Sequence, residues 1–254
     1  MLRILRERLH QGYRTMRYPR GGTPVLPQRF RGLPVIDTAK CIGGCADCRA
    51  ACPTGALLPD RDRRLSLDMG RCLFCGACET ACQQGAITFT RDHCLSTRRR
   101  ADLLIGAQGF SRAESLAARL RRLLGRSLRL RQVSAGGCGA CEADANVLST
   151  VGWDMGRFGI QFVASPRHAD GLLVTGPVTL NMRLALEKTW EAVPEPKILI
   201  ASGSCAISGG PYAGAPEASD GVGGILPVDL FVPGCPPHPL TLLDGLLRLL
   251  GRIR

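Results

Sequence analysis

Long apolar runs are missing from this sequence. No stretch reaches the ~18–20 apolar residues that a membrane-spanning helix needs. The best one, residues 240–250, is interrupted by Asp244 and Arg248. No export signal is readable, because MLRILRERLH carries charge where a signal peptide has its apolar region. Together these absences predict a chain on the cytoplasmic side with no transmembrane segment of its own. Aromatic residues make up only 5%, so the core has to come from Leu, Val, Ile and Ala. The glycine-rich stretch 203–224 contains neither Gly-x4-Gly-Lys-Ser/Thr nor Gly-x-Gly-x2-Gly opening a helix. That leaves no readable phosphate loop, flavin site or nicotinamide site, and it predicts a loop packed over a metal site instead.

Cysteine is abundant. Twelve of the thirteen fall into two ligand-like patterns. The first is Cys41-x3-Cys45-x2-Cys48-x3-Cys52-Pro53, followed by Cys72-x2-Cys75-x2-Cys78-x3-Cys82. The second is Cys138-x2-Cys141, then Cys205, then Cys235 within Pro233-Gly234-Cys235-Pro236-Pro237. A disulfide framework belongs to short exported domains, which this chain does not resemble. Three groups of four soft thiolates predict three iron–sulfur clusters, and so a carrier of electrons.

The first pattern is an internal repeat. Cys45, Cys48, Cys52, Gly55 and Ala56 recur thirty residues later as Cys75, Cys78, Cys82, Gly85 and Ala86. This spacing predicts cross-ligation: Cys41, Cys45, Cys48 and Cys82 for one cluster, and Cys72, Cys75, Cys78 and Cys52 for the other. Two zinc sites are the competing reading of the CxxC pairs, but the array suits an isolated tetrahedral ion poorly. The first half carries one extra residue, in Ile42-Gly43-Gly44. A bulge at the glycines would absorb it; a loosened Cys41 and a three-cysteine cluster is the alternative.

Four segments follow from composition. Residues 1–36 are a basic arm with eight Arg and one acid, Glu7, and a short amphipathic stretch of Leu2, Ile4, Leu5 and Leu9. Such an arm suits an anionic membrane surface, an acidic protein or plain solvent. The net charge of +12 comes without an aromatic-rich recognition pattern, so nucleic acid is not expected. Residues 37–95 form a small α+β two-cluster ferredoxin domain, in segments too short to bury a core and stabilised by metal. Residues 96–127 form a helical connector. In it, Ser111-x-x-Glu114 reads as a capping box, Leu116, Leu120, Leu123 and Leu124 share a face, and Gly125 ends the helix.

Residues 128–254 read as α/β. Strands are expected at 128–133, 160–164, 172–175, 198–201 and 228–232, and helices at 142–151 and 180–192. A last helix carries Leu243, Leu246, Leu247 and Leu250 on one face. The alternation predicts a mainly parallel, flavodoxin-like sheet. Cys138, Cys205 and Cys235 each follow a strand candidate, where open α/β sheets place their sites.

Residues 30–90 resemble the two-cluster ferredoxin subunits of complex I and of membrane-bound hydrogenases. Residues 130–252 resemble the small electron-transfer subunit of the same complexes. The second resemblance rests on Gly137-Cys138-Gly139-Ala140-Cys141-Glu142, Ser165-Pro166-Arg167-His168-Ala169-Asp170, Gly203-Ser204-Cys205-Ala206-Ile207-Ser208-Gly209-Gly210 and Pro233-Gly234-Cys235-Pro236-Pro237. The chain thus looks like a fusion of two subunits that are usually separate. Cys138-x-x-Cys141, in place of two adjacent cysteines, is similar to energy-converting [NiFe] hydrogenases and formate hydrogenlyase. The resemblance implies that Cys138, Cys141, Cys205 and Cys235 bind a proximal [4Fe-4S] cluster. It implies a separate [NiFe] hydrogenase-type large subunit, integral membrane subunits, an electron donor or acceptor protein, and a peripheral place on the cytoplasmic face of the membrane. A nickel-free complex I-like quinone or ferredoxin oxidoreductase is the alternative. A non-redox cluster carrier or regulator is a further one.

The remaining candidates are weaker. Cys94 is surplus to three complete clusters and reads as a free or buried thiol. Glu142 follows a cluster ligand and is either a proton relay facing the partner or a helix N-terminal acid. His168 reads as structural. His10, His93 and His238 show no ligand spacing.

Overall fold

The computed structural model describes residues 2–12, 14–22, 24–42, 45–59, 65–106 and 110–253. The expected bulge at Gly43-Gly44 lies outside the described residues.

Helix α1 (Leu2–Gln11) leads into the extended arm. Strands β1 (Pro34–Ile36) and β4 (Ile87–Phe89) pair antiparallel, and this ribbon draws the end of the arm into the cysteine-rich region. Between them, helices α2 (Asp47–Ala50) and α3 (Ala77–Ala81) occupy matching places in the two halves of the repeat. Strands β2 (Leu57–Pro59), β3 (Leu65–Asp68) and β5 (Leu104–Ile105) form a second antiparallel sheet. This is the ferredoxin-like α+β part. Helix α4 (Ala118–Leu124) then precedes the larger sheet.

That sheet contains β6 (Leu128–Ser134), β7 (Ile160–Phe162), β8 (Gly171–Thr175), β9 (Ile198–Ser202) and β10 (Leu230–Val232). They lie in the order β10-β9-β8-β6-β7, and every pair is parallel. Counted from β6, this is the 2-1-3-4-5 order of doubly wound flavodoxin-like folds. The fold is α/β, as the alternation of apolar segments implies. The crossovers include α5 (Ala140–Val147), α6 (Leu180–Ala192) and α7 (Ser204–Ser208), and α8 (Pro239–Leu249) closes the chain.

The strands alternate with period two. Leu172, Val174, Leu199 and Ala201 face a cluster that also holds Leu57, Leu67, Met69, Ile87 and Ile207. Leu130, Leu173, Ile198 and Ile200 face another, filled by Leu240, Leu243, Leu246 and Leu247 of α8. The ferredoxin-like part therefore does bury apolar side chains, against the parallel sheet. This corrects the expectation that its segments are too short for a core; the sheet supplies the missing half.

The connector corrects a second expectation. Residues 111–117 are not helical, and α4 begins at Ala118, so Ser111 and Glu114 form no capping box. Their stretch is committed elsewhere: the Ala113 amide donates to Ser96 O at 2.7 Å and the Leu116 amide to Leu249 O at 2.9 Å. Leu124 is buried, whereas Leu123 is 58% exposed and does not share its face. Gly125 does follow the last helical residue.

Candidate metal centres

One local device places cysteines twice. In Cys75-Gly76-Ala77-Cys78 and Cys138-Gly139-Ala140-Cys141 the glycine is left-handed (φ 79° and 86°), and a helix begins at the alanine. Glycine takes this turn without the steric cost of a Cβ. A second device explains why Gly-Ala recurs with the cysteines of the repeat. Gly55 and Gly85 sit at φ 59° and 60°. The amides that follow, of Ala56 and Ala86, donate to Cys52 Sγ and Cys82 Sγ, each at 3.3 Å. The Phe74 amide likewise donates to Cys72 Sγ at 3.3 Å. Amide donors aimed at sulfur favour the thiolate form.

The thiols gather into three sets. Cys41, Cys45, Cys48 and Cys82 line one cavity of about 140 Å³, walled by Leu65, Ala86 and Ile87. Burial pushes the Cys48 thiol up, and Cys82, Cys41 and Cys45 add to the effect. In the second set, burial pushes Cys72 up to about 12, with Cys78, Cys52 and Cys75 as the contributing cysteines. Burial also pushes Cys78 up to about 11, next to Cys52 and Cys75. In the third, burial pushes Cys141 up to about 12 and Cys205 to about 11, with Cys235 and Cys138 raising both further. The structure thus brings Cys82 to the cysteines of the first half and Cys52 to those of the second, and gathers Cys138, Cys141, Cys205 and Cys235.

The donor sets fit iron–sulfur clusters. Cys48, Cys72, Cys78, Cys141 and Cys205, raised by burial and by neighbouring thiols, need a cation nearby to become thiolates. The third set also leaves room. At Gly203 (φ +93°) a Cβ would sit 2.6 Å from Cys141 Sγ, and at Gly210 (φ +54°) one would sit 3.0 Å from Cys205 Sγ. The buried Ser202 hydroxyl has no protein hydrogen-bond partner among the described residues, and the buried Ser204 hydroxyl faces the Cys235 thiol. Stretch 203–224 thus packs over the third set at its start, as expected, while Gly214, Gly223 and Gly224 face open space.

The second and third sets adjoin. Cys75 stands close enough to Cys235 to help raise its thiol, after burial and Cys138. The backbone locks the two sides together: Ser208 Oγ, on the helix that carries Cys205, donates to Gly70 O at 2.8 Å, two residues before Cys72. A Cβ at Gly70 would meet Ile207 Cγ2 at 2.8 Å. Neither contact has a signal in the sequence.

The other sequence candidates fall elsewhere. Glu142 turns inward: its Oε1 accepts from Thr175 Oγ1 at 2.6 Å. Burial opposes its charge, but hydrogen bonds from Ser134, Thr175 and its own amide outweigh that and hold the carboxyl below the usual range. His168 is exposed on a single helical turn. His238 Nδ1 accepts from the Leu240 amide at 3.1 Å and caps α8.

Sequence reading missed a polar cluster around Cys94. Ligand atoms of Asp92, His93 and Cys94 lie within 4.8 Å of one another. Asp244, 150 residues further on, accepts from Cys94 Sγ at 3.5 Å. Arg112 pairs with Asp92 and Arg248 with Asp244. Two guanidiniums already balance these acids, which sets the cluster apart from the thiol sets.

Comparison with known proteins follows the same division. Residues 33–93 match the model of the 4Fe-4S dicluster domain, and residues 138–249 match that of the NADH ubiquinone oxidoreductase 20 Kd subunit. The chain is 40% identical over 142 residues to the probable membrane-bound hydrogenase subunit mbhJ of Pyrococcus furiosus, covering 56% of this chain and 85% of that one. It is 43% identical over 119 residues to an NADH-quinone oxidoreductase subunit of Heliobacterium modesticaldum, covering 46% and 68%. It is 42% identical over 137 residues to formate hydrogenlyase subunit 7 of Escherichia coli, covering 54% of each.

Proposed function

We propose a function for this chain from one premise: it belongs to the family of the 20 kDa subunit of NADH ubiquinone oxidoreductase and the small subunits of membrane-bound hydrogenases, and it carries a 4Fe-4S dicluster region on the same polypeptide. It is the electron-transfer subunit of a membrane-bound hydrogenase complex. Three [4Fe-4S] clusters, when bound, supply one-electron carriers between a donor or acceptor protein and a nickel–iron large subunit. Cys41, Cys45, Cys48 and Cys82 hold the first, Cys72, Cys75, Cys78 and Cys52 the second, and Cys138, Cys141, Cys205 and Cys235 the third. The chain sits peripherally on the cytoplasmic face of the membrane, against integral membrane subunits. Among the described residues no helix is long and apolar enough to cross a membrane.

The observation that carries this reading is the junction of the second and third thiol sets. A carrier or regulator that hands clusters to other proteins has no use for it, whereas an electron path requires it. Cys75 beside Cys235, and Ser208 bonded to Gly70, fix the spacing within one polypeptide. The amides aimed at Cys52, Cys72 and Cys82 stabilise negative charge on those sulfurs.

The test is the metal content of the complex that co-purifies with this chain from its host. Nickel together with ~12 irons per chain is expected. Iron without nickel, in a stable and fully loaded complex, would favour a quinone or ferredoxin oxidoreductase. The 43% identity to the NADH-quinone oxidoreductase relative keeps that as the second reading.

A substitution tests the third set directly. Gly203→Ala forces a Cβ to 2.6 Å from Cys141 Sγ at a left-handed position. Iron should fall from ~12 to ~8 per chain, with the two ferredoxin-type signals intact in electron paramagnetic resonance. Gly223→Ala, with nothing within 4 Å of its Cβ, should change neither. Full iron in Gly203→Ala would show that the third set does not hold a cluster.

A further inference from the structure

Among the described residues, nothing covers the apolar side of helix α1. None of its residues is buried, and Leu2, Leu5 and Leu9 are 84%, 59% and 83% exposed. At 100° per residue these three leucines fall within an arc of about 60°. Arg6 and Arg8 flank that arc on opposite sides, and Arg3 and His10 lie beyond Arg6. A leucine stripe edged by arginines lets the long side chains keep their charge in water while the leucines enter an apolar layer. The ten residues are too few to span a bilayer.

A second feature lies a short way along the chain. A pocket of about 850 Å³ is lined by Arg17, Arg20, Arg157 and Arg252, with Phe158 and Leu247 as its apolar wall. No acid lines it. The arm is pinned to the protein body at this pocket: Arg157 donates to Met16 O and, at 2.8 Å, to Tyr18 O, and the Met16 amide donates to Gly152 O at 2.8 Å. Only the residues between Gln11 and Arg17 separate α1 from the pocket, so the two lie within roughly 20 Å. The arm thus presents a leucine stripe and a four-arginine pocket to the same neighbourhood, with Glu7 the single acid in residues 1–36.

We infer that α1 and the arginine pocket are a docking surface for a bilayer rich in anionic phospholipid. The leucines enter the interface, and Arg6 and Arg20 take lipid phosphates. Charge complementarity selects this occupant. Interfacial helices of this kind combine modest apolar area with attraction to anionic lipid, and each arginine near the surface contributes about fivefold in partitioning. Such binding weakens with salt. The inference goes beyond the electron-transfer reading and does not depend on which reaction the partner subunits catalyse.

The full chain, purified with its clusters, is floated with phosphatidylcholine vesicles and with vesicles containing phosphatidylglycerol. Binding only to the anionic vesicles, lost on raising salt, is the expected result. Leu5→Glu with Leu9→Glu should abolish it. Arg6→Gln and Arg20→Gln should each weaken it about fivefold. Iron content and visible spectrum serve as the fold control. Inorganic phosphate or glycerol 3-phosphate should compete poorly; full competition would mean a small-anion pocket and overturn the bilayer as occupant. Equal binding to neutral vesicles, or none to either, would also overturn it. So would release of the leucine variant from its own complex in lipid-free detergent, which would make α1 a protein-docking helix. None of these readouts depends on nickel or electron transfer.

Discussion

On the proposed function, Cys235→Ala will lose one cluster and all electron exchange with the large subunit, while keeping the other two clusters. Cys235 belongs to the third thiol set, and Cys75 of the second set helps to raise its thiol. Alanine removes a ligand that nothing nearby can replace: among the described residues the only other cysteine outside the three sets is Cys94, which sits with His93 and Asp244. Iron should drop from ~12 to ~8 per chain. Two ferredoxin-type paramagnetic signals should persist, because the first two sets are held by the repeat and its own amide donors. Electron transfer to the large subunit should fall to background. Cys94→Ala is the control, expected to leave iron and transfer unchanged. Full iron and undiminished transfer in Cys235→Ala would sink the assignment of the third set and the order of the path together.

Much of this was legible because soft-metal sites are written into spacing. Cys138, Cys205 and Cys235 are legible as neighbours, since each follows a strand that ends on the same side of one sheet. The boundaries of α6, residues 180–192, were readable from its periodicity. The connector was not. Ser111-x-x-Glu114 has the pattern of a helix start, and no local signal says that the amides of Ala113 and Leu116 are taken by Ser96 and Leu249. Tertiary hydrogen bonding overrode a local motif. The same limit hid the bond from Ser208 to Gly70, which joins residues 138 positions apart. It also hid the partners of Glu142: a carboxylate after a ligand reads as partner-facing until Thr175 is seen to donate to it.

Asp244→Ala should be among the most destabilising single substitutions outside the thiol sets. Asp244 is fully buried in α8, and Arg248, one turn on, is only 12% exposed in its side chain. The Arg248 Nε donates to Asp244 Oδ2 at 2.7 Å, and Tyr18 OH donates to Oδ1 at 2.7 Å. His93 Nε2 lies 3.3 Å from the same phenol. Burial and then the neighbouring carboxylate push the Tyr18 phenol up, so it stays a donor across the accessible pH range. One carboxylate thereby ties the arm, the end of the ferredoxin-like part and the last helix. Removing it leaves a buried guanidinium unpaired, which costs about 3–5 kcal/mol, and leaves the Tyr18 hydroxyl with His93 Nε2 at 3.3 Å in place of the carboxylate. For a chain of this size that lowers the apparent midpoint of thermal cluster loss by on the order of 10 °C. Asp244→Leu combined with Arg248→Met should recover much of the loss, because an apolar pair of similar volume avoids burying charge. Arg248→Met alone should not, since it leaves the carboxylate buried with only the phenol and the Cys94 thiol to solvate it. A double-mutant cycle on the midpoint measures the coupling. If the two single changes simply added, the pair would be an incidental contact, and the arm would be held by its other bonds, those of Arg157, the Met16 amide and the β1–β4 ribbon among them.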